Sequence, residues 1–248
     1  MLLLPWHLTD FLADGIGVAV PEDAIEIQGR PSASTDPWLE LVGVYSGLVD
    51  AVAEHGDVAV LAGDCLSAVA VLAGMQRKGL DPAVVWFDAH GDFHTEETTI
   101  SGYRGGLPLA KVVGLGDPTF TRALGMSPIA QDRAVLVDAR DLDPPEVTAL
   151  AASDVRHVAV EDLAPDVLPD GPLLLHVDLD VLDPKNLRGL RFPAPGGPTL
   201  DAVATGVRTV ATSGRVSGLS IAATWRPDGI DPSQANEVLS TLLAAAGR

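Results

Sequence analysis

The sequence predicts an α/β protein of three layers, α/β/α, with a central, mostly parallel sheet covered by helices on both faces. Three observations predict it. Short apolar runs at Val58–Ala62, Val84–Phe87, Ala134–Val137 and Leu173–Val181 have the near-continuous hydrophobicity of strands buried on both sides. Helical patterns alternate with these runs, and hairpin signals are lacking. Four of the strands end in polar, acid-rich loops, which puts chemistry along one edge of one sheet.

Each element follows in order. Residues 1–30 read as a first strand followed by irregular chain. Trp38–His55 carries Leu39, Leu41, Val42, Leu48 and Val52 at helical spacing, so it is an amphipathic helix. The strand Val58–Ala62 ends in Gly63-Asp64-Cys65-Leu66-Ser67, and from Ser67 a helix runs to about Lys78, stopped by Gly79. After Val84–Phe87 a Gly-rich loop, Ser101–Gly106, leads into a helical stretch through Val113. The strand Ala134–Val137 is followed by the helix Glu146–Ala152, with prolines at or before its first turn. Val155–Val160, Leu173–Val181 and Val216–Ala222 are further strands, and Ser233–Ala246 is a closing helix. No repeat, low-complexity tract or linker breaks the pattern, so residues 1–248 are expected to form one domain.

Composition narrows the function classes. An apolar content of 47% supports a sizeable core. The net charge of −18 argues against nucleic acid and anionic membrane surfaces as partners. Acidity instead fits a solubility strategy or a site that attracts cationic substrates. The single cysteine, Cys65, cannot build an internal disulfide framework and fits a reducing cytoplasm. The apolar start Met1–Trp6 is too brief for a signal peptide or a membrane span. The expectation is a cytoplasmic protein.

The chemistry concentrates in two stretches. In Asp88-Ala89-His90-Gly91-Asp92 the carboxylates and imidazole are two residues apart, so an extended chain would point all three to one side. Either they converge on a cation, or the stretch is a polar turn in which Asp92 caps a helix. The second stretch, His176-Val177-Asp178-Leu179-Asp180, puts two carboxylates on an otherwise apolar strand. Like charges buried there destabilise each other unless a cation intervenes. Together the stretches supply enough oxygen and nitrogen ligands for two divalent ions with bridging carboxylates, an arrangement used to activate water.

These residues resemble the ureohydrolase (arginase–agmatinase) family. Its marks are a Gly-Gly-Asp-His-Ser loop, an Asp-Ala-His-x-Asp loop and a Ser-x-Asp-x-Asp-x-x-Asp-Pro loop. Here Gly63–Ser67, Asp88–Asp92 and His176–Pro184 stand in the same order, with Ser101-Gly102 and Arg140-Asp141-Leu142-Asp143-Pro144 similar too. The resemblance implies one manganese ion on Cys65, Asp88, Asp92 and Asp178, and another on His90, Asp88, Asp178 and Asp180. It implies that Asp88 and Asp178 bridge, and that a hydroxide between the ions attacks a guanidinium or amidine carbon. Asp143 matches a position that helps hold the substrate's amino group, and homo-oligomers are common in the family.

The departures are informative. Cys65 stands where most of the family has a histidine, which admits Zn²⁺ or another softer ion; otherwise it is a small buried apolar residue. Gly105 replaces a histidine thought to shuttle protons, Phe192 falls near a usual threonine, and Ala223 stands where a glutamate pairs with the guanidinium. The subgroup of Nω-hydroxy-arginine hydrolases shares the cysteine and the glycine pair, and its loop resembles Gly91–Thr99. Its substrate, a hydroxyguanidine, is less basic and needs less anionic pairing.

Weaker candidates complete the set. His94 reaches toward the site as an acid–base group, or is solvated. Arg104 and Tyr103 lie on the mouth loop and are candidates for recognising a substrate carboxylate. His176 reads as a core histidine, and His7, His55 and His157 as surface residues. The leading expectation is a two-metal hydrolase acting on a guanidino or amidino compound, with Asp92, His94 and Asp178 in catalysis. The competing one is a family member that binds metal or ligand without turnover. A dinucleotide fold is disfavoured, because no Gly-x-Gly-x-x-Gly opens a helix after a strand.

Overall fold

The computed structural model describes residues 1–13, 16–226 and 229–248. Its strands are β1 (Leu2–Leu4), β2 (Trp6–His7), β3 (Asp10–Phe11), β4 (Ile25–Glu26), β5 (Ala59–Ala62), β6 (Ala83–Asp88), β7 (Ala134–Asp138), β8 (Arg156–Val158), β9 (Leu173–Asp178) and β10 (Val216–Ala222). The helices are α1 (Pro37–His55), α2 (Leu66–Arg77), α3 (Pro108–Val112), α4 (Thr119–Leu124), α5 (Pro144–Ala151), α6 (Leu200–Ala211) and α7 (Pro232–Ala245).

Eight strands form one sheet in the order β4-β1-β5-β10-β9-β6-β7-β8. Every pairing in it is parallel. The expected three-layer architecture is therefore present, and β2 and β3 form a small antiparallel pair beside it.

Period-two alternation decides which residue meets which layer. Val60, Ala62, Val84, Trp86, Leu136 and Leu174 face one core, shared with α1 to α4. Leu61, Val85, Phe87, Val137, Leu175 and Ile221 face the other, shared with α6 and α7. Burying both faces is why these strands read as unbroken apolar runs. At the start of α1, the Asp36 carboxylate accepts hydrogen bonds from Trp38 N and Leu39 N, a cap that contributes about 1 kcal/mol.

The chain runs outward from β6 to β8, then returns to insert β9 and β10 between β5 and β6. Loops after β5, β6, β7 and β9 therefore meet at the carboxyl end of the sheet. Such a reversal leaves a crevice for ligands.

Two expectations are corrected. The predicted strand Leu173–Val181 stops at Asp178, and Leu179–Val181 is a 3-10 turn. Likewise β6 stops at Asp88, so His90 and Asp92 lie on a loop. The i, i+2 argument thus named the right residues for an incomplete reason: loop geometry, rather than strand pleat, turns them inward. Asp92 takes φ +48° to do so, a conformation that costs an aspartate roughly 1–3 kcal/mol and that the surrounding structure must impose.

Candidate metal centre

Asp88 closes β6, and both of its oxygens are held. Trp86 Nε1 donates to Oδ2 at 3.1 Å, and the His90 backbone N–H donates to Oδ1 at 2.8 Å. Asp178 closes β9; it accepts from the Asp180 backbone N–H at 2.9 Å and from Cys65 Sγ at 2.9 Å. Asp180 lies 3.1 Å from His90 Nδ1. Among the described residues three groups could hold a metal ion, each with its ligand atoms within 4.8 Å of one another: His94–Asp143–Glu146 stands apart, and two lie together, Cys65–Asp88–Asp178 and Asp88–His90–Asp180. Asp88 belongs to both. Asp92 Oδ2 is buried without a hydrogen-bond partner.

The electrostatics favour either protonated carboxyls or added positive charge. Burial, reinforced by the charges of Asp88 and Asp178, pushes the Asp92 carboxyl well above the usual range. Burial, Asp180 and Asp88 do the same to Asp178. Asp180 is raised to about 6 by burial and then by Asp88, and the Cys65 thiol rises through burial and the neighbouring Asp178. Burial alone would lower His90, but hydrogen bonds to Asp180 and Asp88 outweigh it and push the imidazole up to about 12. Asp88 alone stays low, because its bonds to His90 overcome burial. Ionised carboxylates cannot coexist here at neutral pH without a counter-charge. An orphaned buried oxygen and two overlapping oxygen-rich ligand groups with one imidazole and one thiol fit divalent ions.

Supporting residues fix these ligands. Asp64 accepts from Leu8 N at 2.7 Å, Tyr45 Oη at 2.6 Å and Leu66 N at 2.9 Å, which organises the loop carrying Cys65. Arg140 pairs with the Asp138 carboxylate and donates to the carbonyls of Asp180, Val181, Leu182 and Ala194, tying the loop after β7 to the turn that presents Asp180. Glu146 accepts from Phe93 N at 3.0 Å and Asp143 N at 3.1 Å. It thereby joins the α5 N-terminus to the loop carrying Asp92. Sequence reasoning missed Asp64 and Glu146, although Asp143-Pro144-Pro145-Glu146 carries the spacing of a capping box.

The ligands open into a cavity of about 450 Å³, lined also by His94, Tyr103, Gly105, Asp143, Glu146, Arg191, Phe192 and Thr224. His94 Nε2 lies 3.1 Å from Asp143 Oδ2 and 3.6 Å from Glu146 Oε2. Tyr103 is on the wall as expected. Arg104 is not: its guanidinium lies over the Trp38 ring at 5.9 Å, because the 3-10 turn Arg104–Gly106 directs it away. The arginine on the cavity wall is Arg191, which the sequence did not single out. His7 is also corrected from a surface residue to a buried one, with Nε2 2.8 Å from Tyr103 Oη. His176 is buried against Trp86, with ring centroids 3.9 Å apart, as a core histidine should be. His157 is exposed as expected but contacts the Asp138 carbonyl.

Sheet order, the crevice and the shared carboxylate define a class: α/β/α proteins with a candidate two-metal centre at the carboxyl edge of the sheet. Comparison with known proteins makes this particular. The Arginase family model matches residues 22–242, and the chain belongs to the arginase family. The N(omega)-hydroxy-L-arginine amidinohydrolase of Streptomyces lavendulae is 29% identical over 207 residues, 82% of this chain and 72% of that protein. The arginase of Bacillus caldovelox is 34% identical over 166 residues, 61% of this chain and 56% of that protein. The alignment thus spans little more than half of that arginase's length. The solved structure of the Bacillus caldovelox arginase superposes with a TM-score of 0.77 at 25% identity, covering 90% of this chain and 84% of that one.

Proposed function

We propose that this chain is a two-metal hydrolase that breaks a C–N bond in a guanidino or amidino compound, with a hydroxyguanidine such as Nω-hydroxy-arginine as the first substrate to test. The observation that carries the reading is Asp88, common to two ligand groups beside an unpartnered Asp92 oxygen. Family membership and a relative named as a hydroxy-arginine amidinohydrolase support it.

In this reading Cys65, Asp88, Asp92 and Asp178 hold one ion, and Asp88, His90, Asp178 and Asp180 hold the other. Manganese is the expected metal, and the Cys65 thiolate makes zinc a competitor. When bound, two such ions supply Lewis acidity and make water a nucleophile near neutral pH. The protein's side chains do the positioning. His94, on the cavity wall beside Asp143, holds a proton at Nε2 within reach of a leaving amine. Asp143, at the rim, accepts from a substrate amino group. Phe192, with its ring centroid 6.4 Å from that of His90 and 5.0 Å from that of Tyr103, narrows the cavity and excludes water.

Elemental analysis of manganese-loaded protein should find about two ions per chain, and urea or hydroxyurea should be released from a member of a guanidine panel. Asp178→Asn should lower metal content and abolish release. A loaded preparation silent toward the whole panel rejects the substrate class.

One observation favours a second reading, metal or ligand binding without turnover. A Cβ at Gly105 would overlap the Tyr103 ring as it stands, so the space of the histidine found there in arginases is taken by Tyr103. Full metal occupancy with no guanidine consumed would select this reading.

A further inference from the structure

We infer that Arg191 sets specificity at this site by holding a carboxylate at the substrate end remote from the guanidino group, an inference that rests on the hydrolase reading above. Arg191 lines the metal-site cavity and also a neighbouring cleft formed with His7, Asp10, Ala223, Thr224 and Trp225. It therefore borders both, as does Thr224. The Phe192 ring neighbours both the metal site and this cation: its centroid is 6.4 Å from that of His90 and 5.5 Å from the Arg191 guanidinium carbon. A substrate with its reacting carbon near Asp88 would extend past that ring to Arg191.

Arg191 and Tyr103 bring donors to this wall. Among the described residues Arg191 has no ion-pair partner, although Asp10 lines the same cleft. Its Nη1 lies 3.5 Å from His7 Nδ1, and His7 Nε2 lies 2.8 Å from Tyr103 Oη. A guanidinium cannot accept a hydrogen bond, so His7 Nδ1 is the acceptor and its proton sits on Nε2, directed at the Tyr103 oxygen. The Tyr103 O–H is then left to donate into the cavity. An anionic tail would meet a planar guanidinium and a hydroxyl donor, whereas an ammonium tail would meet a like charge.

The experiment compares 4-guanidinobutanoate with agmatine, which have similar reach and opposite terminal charge. Both kcat/KM and calorimetric affinity are read on manganese-loaded protein. Because the side chain is exposed, Arg191→Gln and Arg191→Glu should leave the fold intact, which thermal unfolding checks. Wild type should favour the acid by about tenfold to a hundredfold, the range of one charge-assisted contact. Arg191→Gln should reduce that preference to about threefold or less, and Arg191→Glu should reverse it. A wild-type preference for agmatine, no measurable binding of the acid, or a preference surviving in Arg191→Gln overturns the inference. Turnover of neither compound counts against the hydrolase reading, while the affinity ratio still decides the role of Arg191.

Discussion

Cys65 occupies the most distinctive position in the centre. Its sulfur sits 2.9 Å from an Asp178 oxygen, among hard oxygen ligands, and a thiolate there shifts preference toward softer ions. Cys65→Ser should therefore lower the ratio of zinc to manganese affinity by about tenfold, roughly 1.4 kcal/mol, in a competition titration. An unchanged ratio would mean that the sulfur is only a buried apolar atom. At this scale the sequence was legible for the residues that gather at the site, because Asp88, His90, Asp92, Asp178 and Asp180 sit in short motifs and line one cavity. It was poorly legible for Arg104 and Arg191. Both are near glycine or proline, and nothing local says which guanidinium the loop turns into the cavity. Tertiary packing decides: Trp38 takes Arg104, and Phe192 presents Arg191.

Among the elements, α5 and the loop after β7 brace the loops that carry the candidate ligands. Glu146→Ala leaves the Phe93 and Asp143 backbone N–H groups without their acceptor. It should cost about 2 kcal/mol in denaturant unfolding. Arg140→Lys keeps the charge but cannot reach four carbonyls and a carboxylate at once. It should weaken manganese binding by about tenfold to a hundredfold, as loss of ligand-orienting partners generally does. An unaltered titration would show that the turn holding Asp180 stands without it. Strands and long helices were read from the sequence to within a few residues. Helix α6 was not, since Val203, Thr205, Val207, Thr209 and Val210 are β-branched and weaken its helical signature. Packing of its apolar stripe on the sheet, rather than propensity, makes it a helix.

At the scale of the whole molecule, the cluster of buried carboxylates at the carboxyl edge of the sheet has consequences for stability. Asp92, Asp178 and Asp180 all have folded pKa values above those of the unfolded chain, Asp180 at about 6. Their protonated forms stabilise the metal-free fold below the ordinary carboxylate pKa near 3.8, and that contribution is lost as pH rises through the folded values. His90 acts in the same sense, since its charged form stabilises the fold until pH nears 12. Metal-free protein should lose melting temperature between about pH 4 and pH 6. Manganese should reverse this and release protons, at least about one per ion at pH 7. Calorimetry in buffers of different ionisation enthalpy checks the proton count. A flat chelated profile would show that the carboxylates are not coupled as described.

At this scale the division of information is clear. The alternation of buried strands and helices, the acidic edge and the candidate ligand motifs were legible in the sequence alone, because hydrophobic period and motif spacing are local properties. Which face each loop presents was decided only in three dimensions. The unpartnered Asp92 oxygen, the Arg140 bonds to the carbonyls of Asp180, Val181, Leu182 and Ala194, and the placing of Arg191 on the walls of two cavities each depend on residues far apart in the chain. Contacts of that kind are set by packing and charge balance across the assembled sheet, and no short stretch encodes them.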